Sequence, residues 1–169
     1  MKIKLTPELS YLIGLWRKRK TFEGIGIKGE ELHQIFSTEV IGKQLTTPEK
    51  LLVDQDRIYF YLTAYRRFFQ EVEEDQLERF KYLNEYAASY LAGLFDAVGG
   101  IDERGVVFLN KINQKDEMLF LRLGFMIRKN GERYVIEKPI LFLAFIKNYV
   151  KIHKENKAFE IIKKARNSQ

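Results

Sequence analysis

Residues 91–100 read LAGLFDAVGG, and they close an apolar, small-residue run that begins at Ala87-Ala88-Ser89-Tyr90. The run predicts a helix with a firm stop, because the paired glycines Gly99-Gly100 end a helix readily and favour a tight turn. Gly93 and Ala97 stand four residues apart and therefore share one helical face. With so little side-chain bulk on that face, a second helix is expected to approach at backbone distance.

A second copy of the pattern lies upstream. Ser10-Tyr11-Leu12-Ile13-Gly14-Leu15 aligns with Ser89-Tyr90-Leu91-Ala92-Gly93-Leu94, so Ser, Tyr, Leu, Gly and Leu recur in register at an offset of 79 in a chain of 169 residues. A recurrence near half-length is the mark of an internal duplication. Gly14 and Gly93 are therefore expected to face each other across two central helices related by a pseudo-twofold axis. The two copies end differently: the first in Arg17-Lys18-Arg19-Lys20, the second in Asp96-Ala97-Val98-Gly99. Lys18 falls where the second copy has Ala97, so the last turn of the first helix is expected to splay or unwind. Arg17 is the counterpart of Asp96, which allows an interhelical ion pair.

The expected organisation is a first half over residues 1–80, a second over 81–150, and a basic C-terminal helix over 151–169, with about 46% hydrophobic residues to fill a shared core. No run of 18 apolar residues occurs, and Met1-Lys2-Ile3-Lys4 lacks the apolar core of a signal peptide. A soluble, cytoplasmic monomer with no membrane partner is expected. Zero cysteines exclude disulfides and thiol chemistry, and two distant histidines, His33 and His153, argue against a zinc site. Abundant Lys, Glu and Ile without Cys fit a thermophilic prokaryotic source. The net charge is +6, and residues 147–169 carry seven Lys or Arg against two Glu, a balance that favours a polyanionic partner.

Along the chain, Thr6-Pro7-Glu8 starts the first helix with a capping threonine and a proline at the first helical position. Residues 21–29 read as a glycine-interrupted strand and 30–45 as a helix. Lys50–Val53, the turn Asp54-Gln55-Asp56, and Arg57–Tyr61 form a hairpin, with Arg57, Tyr59 and Tyr61 on one face by alternation. Thr63 is placed to cap a third helix, after which the acidic Glu71–Asp75 links the halves. The second half repeats the plan. A strand pair includes Arg104–Asn110, Lys111–Lys115 is a loop, and a helix runs over Asp116–Phe125. A hairpin follows with Asn130-Gly131 as its turn, then a helix from Pro139 through Ile140–Tyr149 and a basic amphipathic helix over residues 156–166. Arg133-Tyr134-Val135-Ile136 corresponds to Arg57-Ile58-Tyr59-Phe60. Antiparallel strands with helices on one face make an α+β fold.

LAGLFDAVGG and its weaker upstream echo resemble the motif of the LAGLIDADG homing endonucleases. The resemblance implies a duplicated fold of two antiparallel, saddle-shaped sheets with helices on the convex face and duplex DNA in the concave one. The central interface would hold Gly14, Gly93 and Ala97. It also implies that an acid before the last glycine of each motif binds divalent metal, since hydrolysis of a phosphodiester by Mg²⁺ needs oxygen ligands. Those positions are Arg19 and Val98, and neither ligates a cation. Asp96, Glu23 and Asp102 are the nearest residual acids.

The expectation is a protein that binds nucleic acid, duplex DNA in the first instance, and has lost cleavage, with no cofactor. The alternatives are an active endonuclease using Mg²⁺ on displaced ligands and an RNA-binding, maturase-like protein. Candidate nucleic-acid contacts are Arg17, Lys18, Arg19, Lys20, Lys28, Arg57, Tyr59, Tyr61, Arg104, Asn110, Lys111, Arg128, Lys129 and Arg133. The first four are also read as cations complementing the negative end of a helix.

Overall fold

The computed structural model describes residues 2–75 and 77–160, and it lays the two halves out on one plan. Helix α1 (Pro7–Arg17) begins at Thr6, whose extended backbone lets its Oγ1 accept from Leu9 N at 3.1 Å. It is followed by β1 (Ile25–Lys28), a 3₁₀ turn at Glu30–Leu32, α2 (His33–Gly42), the hairpin β2 (Leu52–Asp54) and β3 (Arg57–Phe60), and α3 (Thr63–Glu74). The second half has α4 (Glu85–Val98), β4 (Gly99–Ile101), β5 (Val107–Leu109), α5 (Gln114–Arg122), β6 (Ile127–Asn130), β7 (Arg133–Ile136) and α6 (Pro139–Ile146).

Both sheets are antiparallel, ordered β1-β3-β2 and β4-β5-β7-β6. The first lacks a full partner for β4, but Lys20 makes a single bridge to Ile27 where Gly99 pairs with Leu109 in the second. Alternation turns Ile25, Ile27, Ile58 and Phe60 inward in one sheet, and Val107, Leu109 and Ile136 in the other. These residues join α1 and α4 in one apolar core that runs through both halves. Phe142 of α6 gathers Phe95, Phe120 and Phe125 at ring separations of 5.5–5.8 Å.

Several boundaries differ from the sequence reading. The glycines after α4 make no tight turn: Gly99 is extended and opens β4, and Gly100 leaves room for the Phe108 ring across the pair. The strand read over 21–29 is regular only from Ile25, and Phe22 is exposed in the bend before it. Thr63 is the first residue of α3 and not its cap, a position held by Leu62 without a side-chain bond. α5 starts two residues earlier than expected because Asn113 and Asp116 form a capping box around Gln114-Lys115. In the last hairpin Asn130 closes the ladder against Arg133, so the turn centres on Gly131 and Glu132, with Gly131 at φ +66°. That is the arrangement in which glycine takes the first central position of a hairpin turn. α6 ends at Ile146, three residues short of Tyr149. Residues 157–160 are helical, and the rest of the helix expected over 156–166 lies outside the described residues. Among the described residues, no helix is long and apolar enough to cross a membrane.

Candidate nucleic-acid interface

The two central helices meet at their glycines. A Cβ on Gly14 would collide with the Tyr90 carbonyl and lie 2.9 Å from Leu94 N, while one on Gly93 would collide with the Tyr11 carbonyl and lie 2.8 Å from Leu15 N. Tyr11 and Leu15 are the offset-79 counterparts of Tyr90 and Leu94, so the same contact is made twice about a pseudo-twofold axis. Ala97 is also buried on α4.

At the sixth motif position the expected Arg17–Asp96 ion pair does not form. Each residue bonds instead to the tyrosine of the opposite helix. Tyr11 Oη donates to Asp96 Oδ2 at 2.6 Å, and Arg17 Nη1 donates to Tyr90 Oη at 3.2 Å. The first is a carboxylate–phenol pair. The second needed a new carboxylate, and Asp116 provides it: buried at the start of α5, it binds Arg17 and also Lys18 Nζ, the latter at 2.6 Å. Burial raises the phenols of Tyr11 and Tyr90 far above the ordinary tyrosine value, and Asp96 adds to the effect at Tyr11. Burial lowers the Lys18 ammonium, and Asp116 offsets only part of this. In Arg17 burial opposes the charge, but Tyr90 and Asp116 outweigh it and the guanidinium is held above its usual value.

The cluster Arg17–Lys20 is therefore not a bare patch of positive charge. Arg17 and Lys18 are largely buried on Asp116, Arg19 pairs with Glu31, and Lys20 reaches Glu73 at 2.6 Å while lying over the Trp16 ring. As the Ala97 comparison suggested, α1 stops at Arg17, two residues before the counterpart of Val98. Arg17, Lys18 and Lys20 line a cleft of about 480 Å³ with Glu73 and Lys115.

Asp96 is saturated. Its two oxygens also accept the backbone N–H groups of Lys151, Ile152 and His153 at 2.8–3.2 Å, and His153 Nδ1 lies 2.9 Å from Oδ1. Five donors leave it no free lone pair for a cation. Glu23 is exposed and accepts from Tyr61 Oη at 2.7 Å, and Asp102 holds its own turn through Arg104 N and Val106 N, both at 2.9 Å. Arg19 and Val98 line one cavity of about 290 Å³ together with Glu31, Asn110, Lys111 and His153. A guanidinium, an isopropyl group and an ammonium do not make a magnesium site. Among the described residues, no three His, Asp or Glu side chains converge on a possible metal position.

The outward sheet faces carry the remaining candidates. Lys28 pairs with Arg57, and Gly26 with Tyr59, so Lys28, Arg57 and Tyr59 share the open face of the first sheet. Tyr61 follows them edge-on to Tyr59 at 5.9 Å. In the second sheet Arg128 faces Val135, Val135 faces Phe108, and Arg133 stacks 4.0 Å from the Phe108 ring. Lys129 pairs with Tyr134 on the opposite, helix-bearing side, away from Arg128 and Arg133. Arg104 lies in the exposed turn after Asp102. Sequence reasoning missed Asp116, Glu31, Glu73, His153 and Phe108. Phe108 alone had a readable signal, since alternation with Val107 and Leu109 puts it on the open face.

No protein-family profile matches the chain, and no curated protein matches it. Solved structures do. A crystal structure of I-DmoI in complex with DNA and Ca aligns over 92% of this chain and 96% of its own at a TM-score of 0.57 and 15% identity. A structure of mesophilic variants of the homing endonuclease I-DmoI aligns over 83% and 90% at 0.56 and 15%. A complex of I-DmoI with DNA and Mn aligns over 83% and 96% at 0.54 and 15%. With two glycine-paired central helices and two antiparallel sheets in one pseudo-twofold unit, this chain has the LAGLIDADG homing-endonuclease fold.

Proposed function

We propose that the protein binds duplex DNA across the open faces of its two sheets and does not cleave it by the metal-dependent route. Similar folds crystallised on DNA supply the docking surface by analogy. A two-stranded ribbon fits the major groove, and the open faces carry Lys28, Arg57, Arg128 and Arg133 interleaved with Tyr59, Tyr61 and Phe108. Cations of this kind neutralise phosphates, and the aromatic side chains contact sugars and bases. The observation that carries the loss of cleavage is the cavity at the ends of the central helices, where Arg19 and Val98 stand at the two acid positions and Asp96 has no free lone pair.

Fluorescence anisotropy with a labelled duplex tests the binding. Neutralising about six to eight phosphates gives a slope of roughly −5 to −7 in log K against log[salt]. A flat salt response removes the nucleic-acid reading, and tighter binding of structured RNA at matched salt replaces DNA with RNA. Supercoiled plasmid incubated with Mg²⁺ should remain uncut, and nicking would overturn the loss of cleavage.

A further inference from the structure

We propose that the cavity between the ends of α1 and α4 is a phosphate seat that works without a metal ion, holding a phosphate group on Arg19, Lys111 and His153. The proposal rests on the nucleic-acid reading for the source of that phosphate, a backbone phosphate of the bound duplex. Its volume of about 290 Å³ is several times the ~30 Å³ share of a water molecule, enough for a phosphate with part of its hydration.

Three features prepare the cavity for an anion. The first is its charge. Arg19 and Lys111 bring two cations against the carboxylates of Asp96 and Glu31, and the oxygens of Asp96 are held by five donors, so Glu31 is the acid free to move aside. Glu31 sits on the short 3₁₀ turn with 63% of its side chain exposed, so it can give up the Arg19 guanidinium to a phosphate and turn to water. Arginine suits the exchange because its planar fork binds phosphate oxygens in pairs.

The second is backbone conformation. Lys111 has φ +56°, a left-handed conformation that costs a non-glycine residue about 1 kcal/mol or more and collects at functional sites. The equivalent place in the first half, after β1, is Gly29 at φ +115°, which adopts such a backbone freely. The second half keeps a lysine where glycine would be easier, and that lysine lines the cavity.

The third is His153. A carboxylate oxygen only accepts, so the Nδ1 that stands 2.9 Å from Asp96 Oδ1 carries a proton. A phosphate oxygen also only accepts, so His153 joins the seat as the imidazolium, with Nε2–H as the donor to phosphate, and Asn110 adds a neutral side-chain amide to the same lining. Val98 supplies an apolar wall, which strengthens the attraction between the cations and an entering anion.

The chain has only two histidines, and His33 bonds the Asp56 carbonyl outside the cavity, so the His33 and His153 imidazole proton resonances form a probe with an internal control. Inorganic phosphate titrated at constant pH with chelator present should shift the His153 resonance saturably and leave His33 in place. Lys111→Gly relieves the left-handed strain, so it should hold or raise the melting temperature while weakening the phosphate-induced shift. Combined with Arg19→Gln it should abolish the shift, lower duplex affinity by ~10-fold and flatten the salt slope by about 1. An unmoved His153, or a salt slope unchanged in the double variant, overturns the seat even if duplex binding stands. A His153 shift without any duplex binding supports the seat and removes the nucleic-acid reading.

Discussion

A methyl group at Gly14 or Gly93 would enter the backbone of the partner helix, colliding with the carbonyl of Tyr90 or Tyr11. Backbone cannot rotate away as a side chain does, so Gly14→Ala or Gly93→Ala should destabilise by about 3 kcal/mol, read as a lower urea midpoint. Gly42 has open space around it, and Gly42→Ala should hold or raise stability by ~0.5 kcal/mol. Equal losses at all three would show that the glycines act through chain entropy and not through helix approach. The buried carboxylate of Asp116 makes a second test. Asp116→Ala leaves Arg17 and Lys18 charged, largely buried and without this partner, at a cost of about 3–5 kcal/mol. Adding Arg17→Met and Lys18→Ala should recover much of the loss, and an additive result would sever the link between the three. The glycines were legible because they recur at a fixed offset. Asp116 was not, since it lies 99 residues from Arg17 and nothing local marks the pair.

Among the elements, the segment after α6 ties the halves together. Its backbone N–H groups at Lys151–His153 cap Asp96, while Lys151 Nζ lies 2.9 Å from Glu39 in α2 and 5.1 Å from the Tyr11 ring centre. Burial raises the Glu39 carboxyl, but the ammonium groups of Lys43 and Lys151 outweigh it and hold the group below its usual 4.5. A depressed folded value means that the unfolded chain binds the proton more readily. The stabilisation is complete above about pH 4.5 and is lost as pH falls through the folded value. Glu39→Gln should cost ~1 kcal/mol at neutral pH and progressively less as the pH falls below 4.5. A gap between variant and wild type that persists in acid would rule out the ion pairs as its origin. The element order was readable from apolar periodicity and turn residues, and α1, α4 and the β2–β3 hairpin fell close to where expected. The ends were less readable where one side chain decides them, as in the capping box of α5. The contact of residues 151–153 with Asp96 left no local pattern.

At the scale of the whole molecule the two halves keep one plan and differ where the symmetry axis meets the expected site. Both helix ends converge on one cavity, but they bring Arg19 and Val98 to it, and Lys111 enters from the loop after β5. The sequence made the replaced acids visible, yet not that the two positions line a common space. Restoring carboxylates tests that geometry. Val98 is buried, so Val98→Asp carries a desolvation cost, and unfolding curves must first establish that the variant is native. Alone it should pair with Arg19 and recruit little metal. Arg19→Asp removes that partner, releases Glu31 and turns the cavity lining from balanced charge to net anionic. The double variant should then bind duplex about 10-fold more tightly with Mg²⁺ than with chelator, a change of ~1.4 kcal/mol, while the wild type shows no difference. Calorimetry with duplex bound reads the metal directly. Metal-dependent affinity in Val98→Asp alone, equal to that of the double variant, would mean that Arg19 does not share the space. None in the double variant would mean that Lys111 still holds cations away, and adding Lys111→Gly should then bring the metal in.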